Sequence, residues 1–252
     1  MIAEYYRPST IEEALELLAR PGVNAVPIGG GSALKRAGAE PAAVVDLQAL
    51  GLDGVEQRGN SLALGAALPL QRLLELPELP EALAKAIRHE VAYNLRQVGT
   101  VAGTLVSATG RSPFTAALLA LDAVLEIRKK GAPDEEIGLG ELLPSRPERL
   151  AGRLITRVVL PLNVRLAYEY VARTPADRPL ICASAARWPS GRTRAVLGGY
   201  GAAPVLVLDG PEPGGAEAAA GDAYSLAEDE WASAEYRREI APILVRRCLD
   251  QL

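Results

Sequence analysis

The run Gly29-Gly30-Gly31, set between Val26-Pro27-Ile28 and Ser32-Ala33-Leu34, constrains this chain more than any other stretch. Residues without a Cβ can take positive φ and lie close against a ligand or another segment. Successive amides in such a turn can point inward and form an anion-sized nest. A helix start behind them adds a favourable dipole. A phosphate or diphosphate is the natural guest, and a flexible loop is the alternative. The flanks fit a β–loop–α–β unit. Residues 23–28 read as a buried strand, 42–47 as a second strand closing on Asp46, and a short helical piece through Leu34 and Arg36 lies between them. The glycine turn then falls at the carboxyl end of the first strand, where ligands sit in open α/β sheets.

Upstream, Ser9-Thr10-Ile11-Glu12 has capping-box spacing, with Ser9 at the N-cap and Glu12 at N3. Ile11, Ala14, Leu15 and Leu18 follow at helical spacing, and Gly22 stops the helix. Downstream, Arg58-Gly59-Asn60 reads as a hairpin turn, and Pro69 opens a short helix through Leu74. A longer helix spans 81–92, with His89 in its last turn as a solvent-facing or capping imidazole. A second small-residue segment runs from Asn94 through Gly99, Thr100 and Gly103 to Ser112. It reads as a loop able to set several N–H and O–H donors against one ligand. A plain connection is the other reading, although a structureless stretch of this length is unusual unless it binds something.

Pro113 opens an apolar helix, Phe114 to Leu121. Residues 124–127 form a strand, Arg128-Lys129-Lys130-Gly131 a solvated hairpin tip, and 154–160 a strand ending at Pro161. A domain boundary near Leu162 follows. Three further strands are expected at 165–172, 180–187 and 193–197, then a mobile loop at 209–223. Ser233 caps a final helix, with Tyr236, Ile240, Ile243, Leu244 and Leu249 along one face and arginines on the other.

Composition excludes several classes. A net charge of −4 argues against a nucleic-acid partner, which needs a basic surface. No basic-then-apolar leader and no long uncharged apolar run is evident, so neither secretion nor a membrane span is expected and the chain reads as cytoplasmic. Cys182 and Cys248 read as buried thiols. His89, the single histidine, leaves little scope for a histidine metal site.

In order and spacing, these pieces resemble the FAD-binding medium subunits of the molybdenum hydroxylases, the flavoproteins of the carbon monoxide dehydrogenase and xanthine dehydrogenase family. The resemblance runs through Tyr6-Arg7-Pro8-Ser9, Gly29 to Leu34, Val45-Asp46-Leu47, Leu64-Gly65-Ala66 and Arg96 to Gly103. It continues through Leu118 to Ala123, Leu197 to Gly201, Pro204, and Ser233 to Arg238. It implies an α+β fold: a two-lobed FAD-binding module over 1–161, with a small parallel α/β lobe and a mixed α+β lobe. A smaller C-terminal domain over 162–252, with a three-stranded sheet and helices, completes it. It implies FAD as cofactor, and an oxidoreductase role passing electrons from an iron–sulfur subunit to an external acceptor. A large molybdopterin-binding subunit would oxidise the substrate.

By the same resemblance, Ile28, Gly29, Gly30, Gly31, Ser32 and Ala33 cradle the diphosphate with their amides. Thr100, Val101, Ala102, Gly103 and Thr104 hold the rest of the cofactor. Leu154 or Ile155 packs near the flavin, and Arg173 stands at the family's basic position with Asp177 following. Two departures matter. The family's Gly-Gly-Asn is here Ala102-Gly103-Thr104, and its aspartate nine residues on is Pro113. Loss of one charge-assisted hydrogen bond costs about 1.5–3 kcal/mol; Ser112, Thr109 or Thr104 are the neighbours able to replace it. A structural subunit that keeps the fold without the flavin is the alternative.

Overall fold

The computed structural model describes residues 2–33 and 42–252. In chain order the elements are β1 (Ile2–Tyr6), α1 (Ile11–Leu18), β2 (Ala25–Ile28), β3 (Ala42–Asp46), β4 (Val55–Arg58), β5 (Ser61–Gly65), α2 (Leu70–Leu73), α3 (Glu81–Glu90), α4 (Tyr93–Arg96), α5 (Val101–Ser107) and α6 (Pro113–Ala120). There follow β6 (Val124–Lys129), β7 (Glu135–Gly138), α7 (Leu139–Leu142), α8 (Arg146–Leu150), β8 (Arg153–Pro161), β9 (Arg165–Val171), β10 (Ile181–Arg187), β11 (Thr193–Gly198), β12 (Val205–Gly210), α9 (Ala216–Ala223) and α10 (Ala234–Asp250). The helical piece expected through Leu34 and Arg36 lies outside the described residues.

These elements form two compact units, each assembled from three chain segments. The first comprises Met1–Glu75, Tyr93–Ser107 and Val124–Leu160; the second comprises Leu76–Ala92, Ala108–Ala123 and Pro161–Leu252.

The first unit holds two sheets. Three parallel strands run in the order β1-β3-β2, with Tyr5 and Val26 both opposite Val44. Pro27 has no N–H to donate, which a strand at the sheet's edge tolerates. Helix α1 presses Ala14, Leu15 and Leu18 against Val45, Leu47 and Leu154. Its cap is shifted one residue from the expected position. Thr10 is the N-cap, its Oγ1 accepting from Glu13 N, while the Glu13 carboxylate accepts from Ser9 N. The second sheet has five strands in the order β4-β5-β8-β6-β7, and β4–β5 is the expected hairpin.

The second unit is built on a four-stranded antiparallel sheet, β12-β11-β10-β9, one strand more than expected. The apolar run after Pro204 pairs with β11, with Val205 opposite Leu197. In β10 the six residues from Ile181 to Ala186 are all buried, with no alternation, because helices cover the sheet. Helices α9 and α10 supply Ala220, Ala241, Leu244 and Val245 to its core, joined by Tyr224 just past α9. Helix α6, apolar except for Thr115 and buried at every position, packs on β10 and β11. A helix apolar on every face is stable only when enclosed in this way.

Of residues 209–223, expected as a mobile loop, 209–210 end β12 and 216–223 form α9, while 211–215 connect them outside any regular element. Ser233 caps α10 as expected, its Oγ accepting from Tyr236 N. The helix's buried face is Arg237, Ala241, Leu244, Val245 and Cys248, rotated from the expected stripe so that an arginine lies inside. Both cysteines are free and buried. Among the described residues no helix is long and apolar enough to cross a membrane.

Candidate functional site

The glycine turn is fixed at its start by the β2–β3 ladder, in which Ile28 lies opposite Asp46 and Leu47 N donates to Ile28 O at 2.9 Å. Beyond Ile28 the backbone runs against the segment before α5. A Cβ built on Gly30 would lie 1.5 Å from the Val98 carbonyl oxygen, and one on Gly29 would lie 2.7 Å from Thr100 Oγ1. Gly31 has open space around it and φ +70°, the left-handed region that favours glycine. Thus two glycines are required by close approach and the third by conformation. Among the described residues, no protein acceptor receives the amides of Gly29, Gly30, Gly31 or Ser32. Unpaired N–H groups in a turn are the donor set an anion needs.

The second small-residue segment differs from the loop expected for it, because residues 101–107 are helical. The first amides of a helix have no partner within it and must find acceptors elsewhere. Here Val101 N donates to Leu68 O and Ala102 N to Ala66 O. Thr100 caps the helix, its Oγ1 accepting from Gly103 N at 3.2 Å and its carbonyl from Thr104 N at 2.9 Å. Four amides from the expected donor set are therefore occupied by the fold. Hydroxyls are occupied as well: Thr104 Oγ1 donates to Thr100 O, and Ser107 Oγ to Gly103 O, both at 2.8 Å.

The two segments line one cavity of about 270 Å³ in the first unit. Its walls include residues 26–33, Thr100 with the α5 residues Ala102, Gly103 and Val106, and the start of β8 from Arg153 to Ile155. A second cavity of about 250 Å³ shares Gly29, Gly30 and Thr100 and is bounded by Gln48, Asp53 and Gln97. Each is close to the lower limit of about 300 Å³ for a small-molecule site. The glycine turn borders both, as suits a long, narrow ligand. The walls are largely apolar; Arg153 brings a guanidinium, which is paired with Glu135.

Of the residues named from the sequence, Ile28 to Ala33, Thr100, Ala102, Gly103 and Ile155 line the first cavity, as does Leu154. Val101 is fully buried, and Thr104 is half-buried and does not line it. Arg173 belongs to the second unit, where it is exposed and its Nη2 donates to Trp231 O at 3.2 Å. Pro113 is the buried first residue of α6. Ser112 cannot act as its polar replacement. Its Oγ caps α6 by accepting from Thr115 N and donates to the buried Glu90 carboxylate at 2.7 Å.

Arg153, Val106 and Gln48 were not foreseen. Each sits beside the glycine turn only because strands and helices distant in sequence converge there, and none carries a local signal. His89 is half-buried, neither a cap nor solvent-facing: its ring centroid is 4.0 Å from that of Tyr170, and Nδ1 is 3.2 Å from Tyr168 Oη. Among the described residues no group of three or more His, Cys, Asp or Glu could hold a metal ion.

The chain is similar to several known proteins. The uncharacterized protein YgfM of Escherichia coli K12 is 29% identical over 255 residues, covering 97% of this chain and 94% of its own. The carbon monoxide dehydrogenase medium chain of Afipia carboxidovorans is 26% identical over 289 residues, covering 98% and 96%. In fold, the chain matches the solved carbon monoxide dehydrogenase of Hydrogenophaga pseudoflava with a TM-score of 0.84, at 21% identity, over 100% of this chain and 97% of that one. Residues 1–163 match the family described as the FAD binding domain in molybdopterin dehydrogenase. With the glycine turn, the capped α5 and the shared cavity in place, the chain belongs to that family of FAD-binding domains of molybdopterin dehydrogenases.

Proposed function

We propose that this chain is the FAD-binding subunit of a molybdenum hydroxylase, taking electrons from an iron–sulfur subunit and passing them to an external acceptor. In this reading residues 1–161 are the cofactor domain and 162–252 the flavoprotein-type C-terminal domain. A large molybdopterin-binding subunit carries out substrate oxidation. The observation that supports it most is the set of amides from Gly29 to Ser32 that border the cavity and have no acceptor among the described residues.

Those amides would hold the FAD diphosphate, and among the described residues no acceptor has to be displaced for them to do so. Thr100, Ala102 and Gly103 would give the cofactor a close surface with little side chain. Leu154 and Ile155 would supply apolar contact from β8 and help exclude water. The flavin, when bound, supplies reversible electron transfer, and the protein supplies position and electrostatics. Flavin content per chain of the purified complex tests the proposal: stoichiometric FAD is expected, and a colourless protein that takes up no added FAD would refute it.

One observation favours a second reading, a structural subunit without flavin. Pro113 replaces an aspartate of the family pattern, and the hydroxyls of Ser112 and Thr104 are already occupied. Co-purification with iron–sulfur and molybdopterin subunits in the absence of flavin would establish that reading.

A further inference from the structure

Among the described residues that line the larger glycine-turn cavity, a single side chain is charged: Arg153, the first residue of β8. Its backbone is fixed in the β6 ladder, opposite Lys129. Its Nη1 is paired with Oε2 of Glu135, on β7. Its Nε and Nη2 have no protein acceptor among the described residues. Glu135 does not depend on that contact, because Arg149 Nη1 lies 3.1 Å from its other oxygen. Arg149 Nη2 lies in turn 2.7 Å from Glu141 Oε1. Arg153 is therefore the end member of a row of ion pairs, held through one nitrogen.

The Arg153 side chain is 22% exposed and that of Glu135 33%. An ion pair that water still reaches contributes little to stability, so it yields readily to a better partner. Of the parts of FAD, only the diphosphate is ionised at neutral pH; adenine, the ribityl chain and the isoalloxazine are not. Two phosphate charges drawn from water into a largely apolar cavity need compensation. The amides of the glycine turn supply only partial charges. A guanidinium supplies a full one, in a fork that matches phosphate oxygens two at a time. If Arg153 turns away, Glu135 still has Arg149 as its partner, so no carboxylate is left without a cation.

We propose that Arg153 is the charged diphosphate-binding residue of the cofactor cavity, exchanging Glu135 for the phosphate oxygens of FAD when the cofactor binds. The inference rests on the flavin reading of that cavity and adds a residue to it. Calorimetric titration of the flavin-free, full-length chain with FAD, ADP and adenosine at constant ionic strength tests it. Arg153→Met keeps most of the stem and removes the charge. It should weaken FAD and ADP at least tenfold and leave adenosine, which has no phosphate, within twofold. Glu135→Gln releases the guanidinium and should tighten ADP several-fold, a gain that misfolding cannot mimic; in the Arg153→Met background that gain should vanish. The salt dependence of ADP binding should also be shallower in Arg153→Met, because a screened charge contact has been lost. Unchanged ADP affinity in Arg153→Met, an equal loss for adenosine, or weaker ADP binding in Glu135→Gln would overturn the role of Arg153, and a parent chain that still binds FAD would leave the flavin reading standing. A parent chain that binds neither FAD nor ADP would overturn both.

Discussion

A methyl group added at Gly30 would stand 1.5 Å from the Val98 carbonyl oxygen, whereas one added at Gly31 would meet nothing within 4 Å. The two substitutions therefore fail for different reasons. Gly31→Ala retains the surface but places an alanine at φ +70°, costing about 1–2 kcal/mol. Gly30→Ala must push the turn away from the 98–100 segment, at about 1–3 kcal/mol as for an overpacked site, and distorts the amide set. FAD content and thermal unfolding on the same preparations separate them. Gly31→Ala should keep its flavin with a modestly lower Tm, and Gly30→Ala should lose most of its flavin. The reverse pattern would remove the turn from the cofactor site.

Thr100 is both the cap of α5 and the neighbour of Gly29. Thr100→Ala leaves Gly103 N without its acceptor and should cost about 1 kcal/mol. Thr100→Ser keeps the oxygen and should stay within a few tenths of the parent. Urea midpoints for the pair decide it; equal losses in both would show that the methyl, not the cap, carries the effect.

Arg237 is fully buried in α10. Its Nη1 donates to Ala227 O at 2.7 Å and Ala232 O at 3.1 Å, and its Nη2 to Asp229 Oδ1 at 2.8 Å and Gly199 O at 3.4 Å. Lysine keeps the charge but cannot reach four acceptors lying around a planar fork. Arg237→Met should destabilise by roughly 2–4 kcal/mol, since Asp229 and three carbonyls lose their donor, and Arg237→Lys by less. Chemical denaturation measures both; a neutral Arg237→Met would mean that water satisfies the same groups.

His89 makes stability depend on pH. Burial foremost, then the charges of Lys85 and Arg88, hold its imidazole below its usual range. Tyr168, which faces it, is raised well above the ordinary tyrosine range and does not titrate there. The folded state thus binds fewer protons than the unfolded state near pH 6, and stability rises with pH in that window. It should be complete above about pH 6.5, the unfolded histidine value, and decline as pH falls through the depressed folded value. His89→Gln should flatten the dependence between about pH 5 and 7, where histidine titrates. Denaturation midpoints across that range provide the check, and an unaltered slope in the variant would assign it to other groups.

Much of the scaffold was legible because its signals are local. The Gly59-Asn60 hairpin, Pro113 at the start of α6 and Ser233 at the cap of α10 each depend on residues within a turn of one another. The cap of α1 was missed by one position because Ser9 and Thr10 are both competent oxygens, and only the path of the chain selects between them. The α10 stripe was misread because hydropathy places arginine outward. The carbonyls of Gly199, Ala227 and Ala232 that reward its burial lie elsewhere in the chain.

By itself, the sequence determined where strands, turns and caps fall, and that a side-chain-poor turn follows β2, because φ preference and apolar period act over a few residues. Tertiary structure decided which amides remain available. Those of α5 were taken by Leu68, Ala66 and Thr100 once distant segments met, while those of Gly29 to Ser32 found no protein acceptor among the described residues. A hydrogen bond is settled by position in space, and no spacing along the chain records which carbonyl will arrive beside a given N–H.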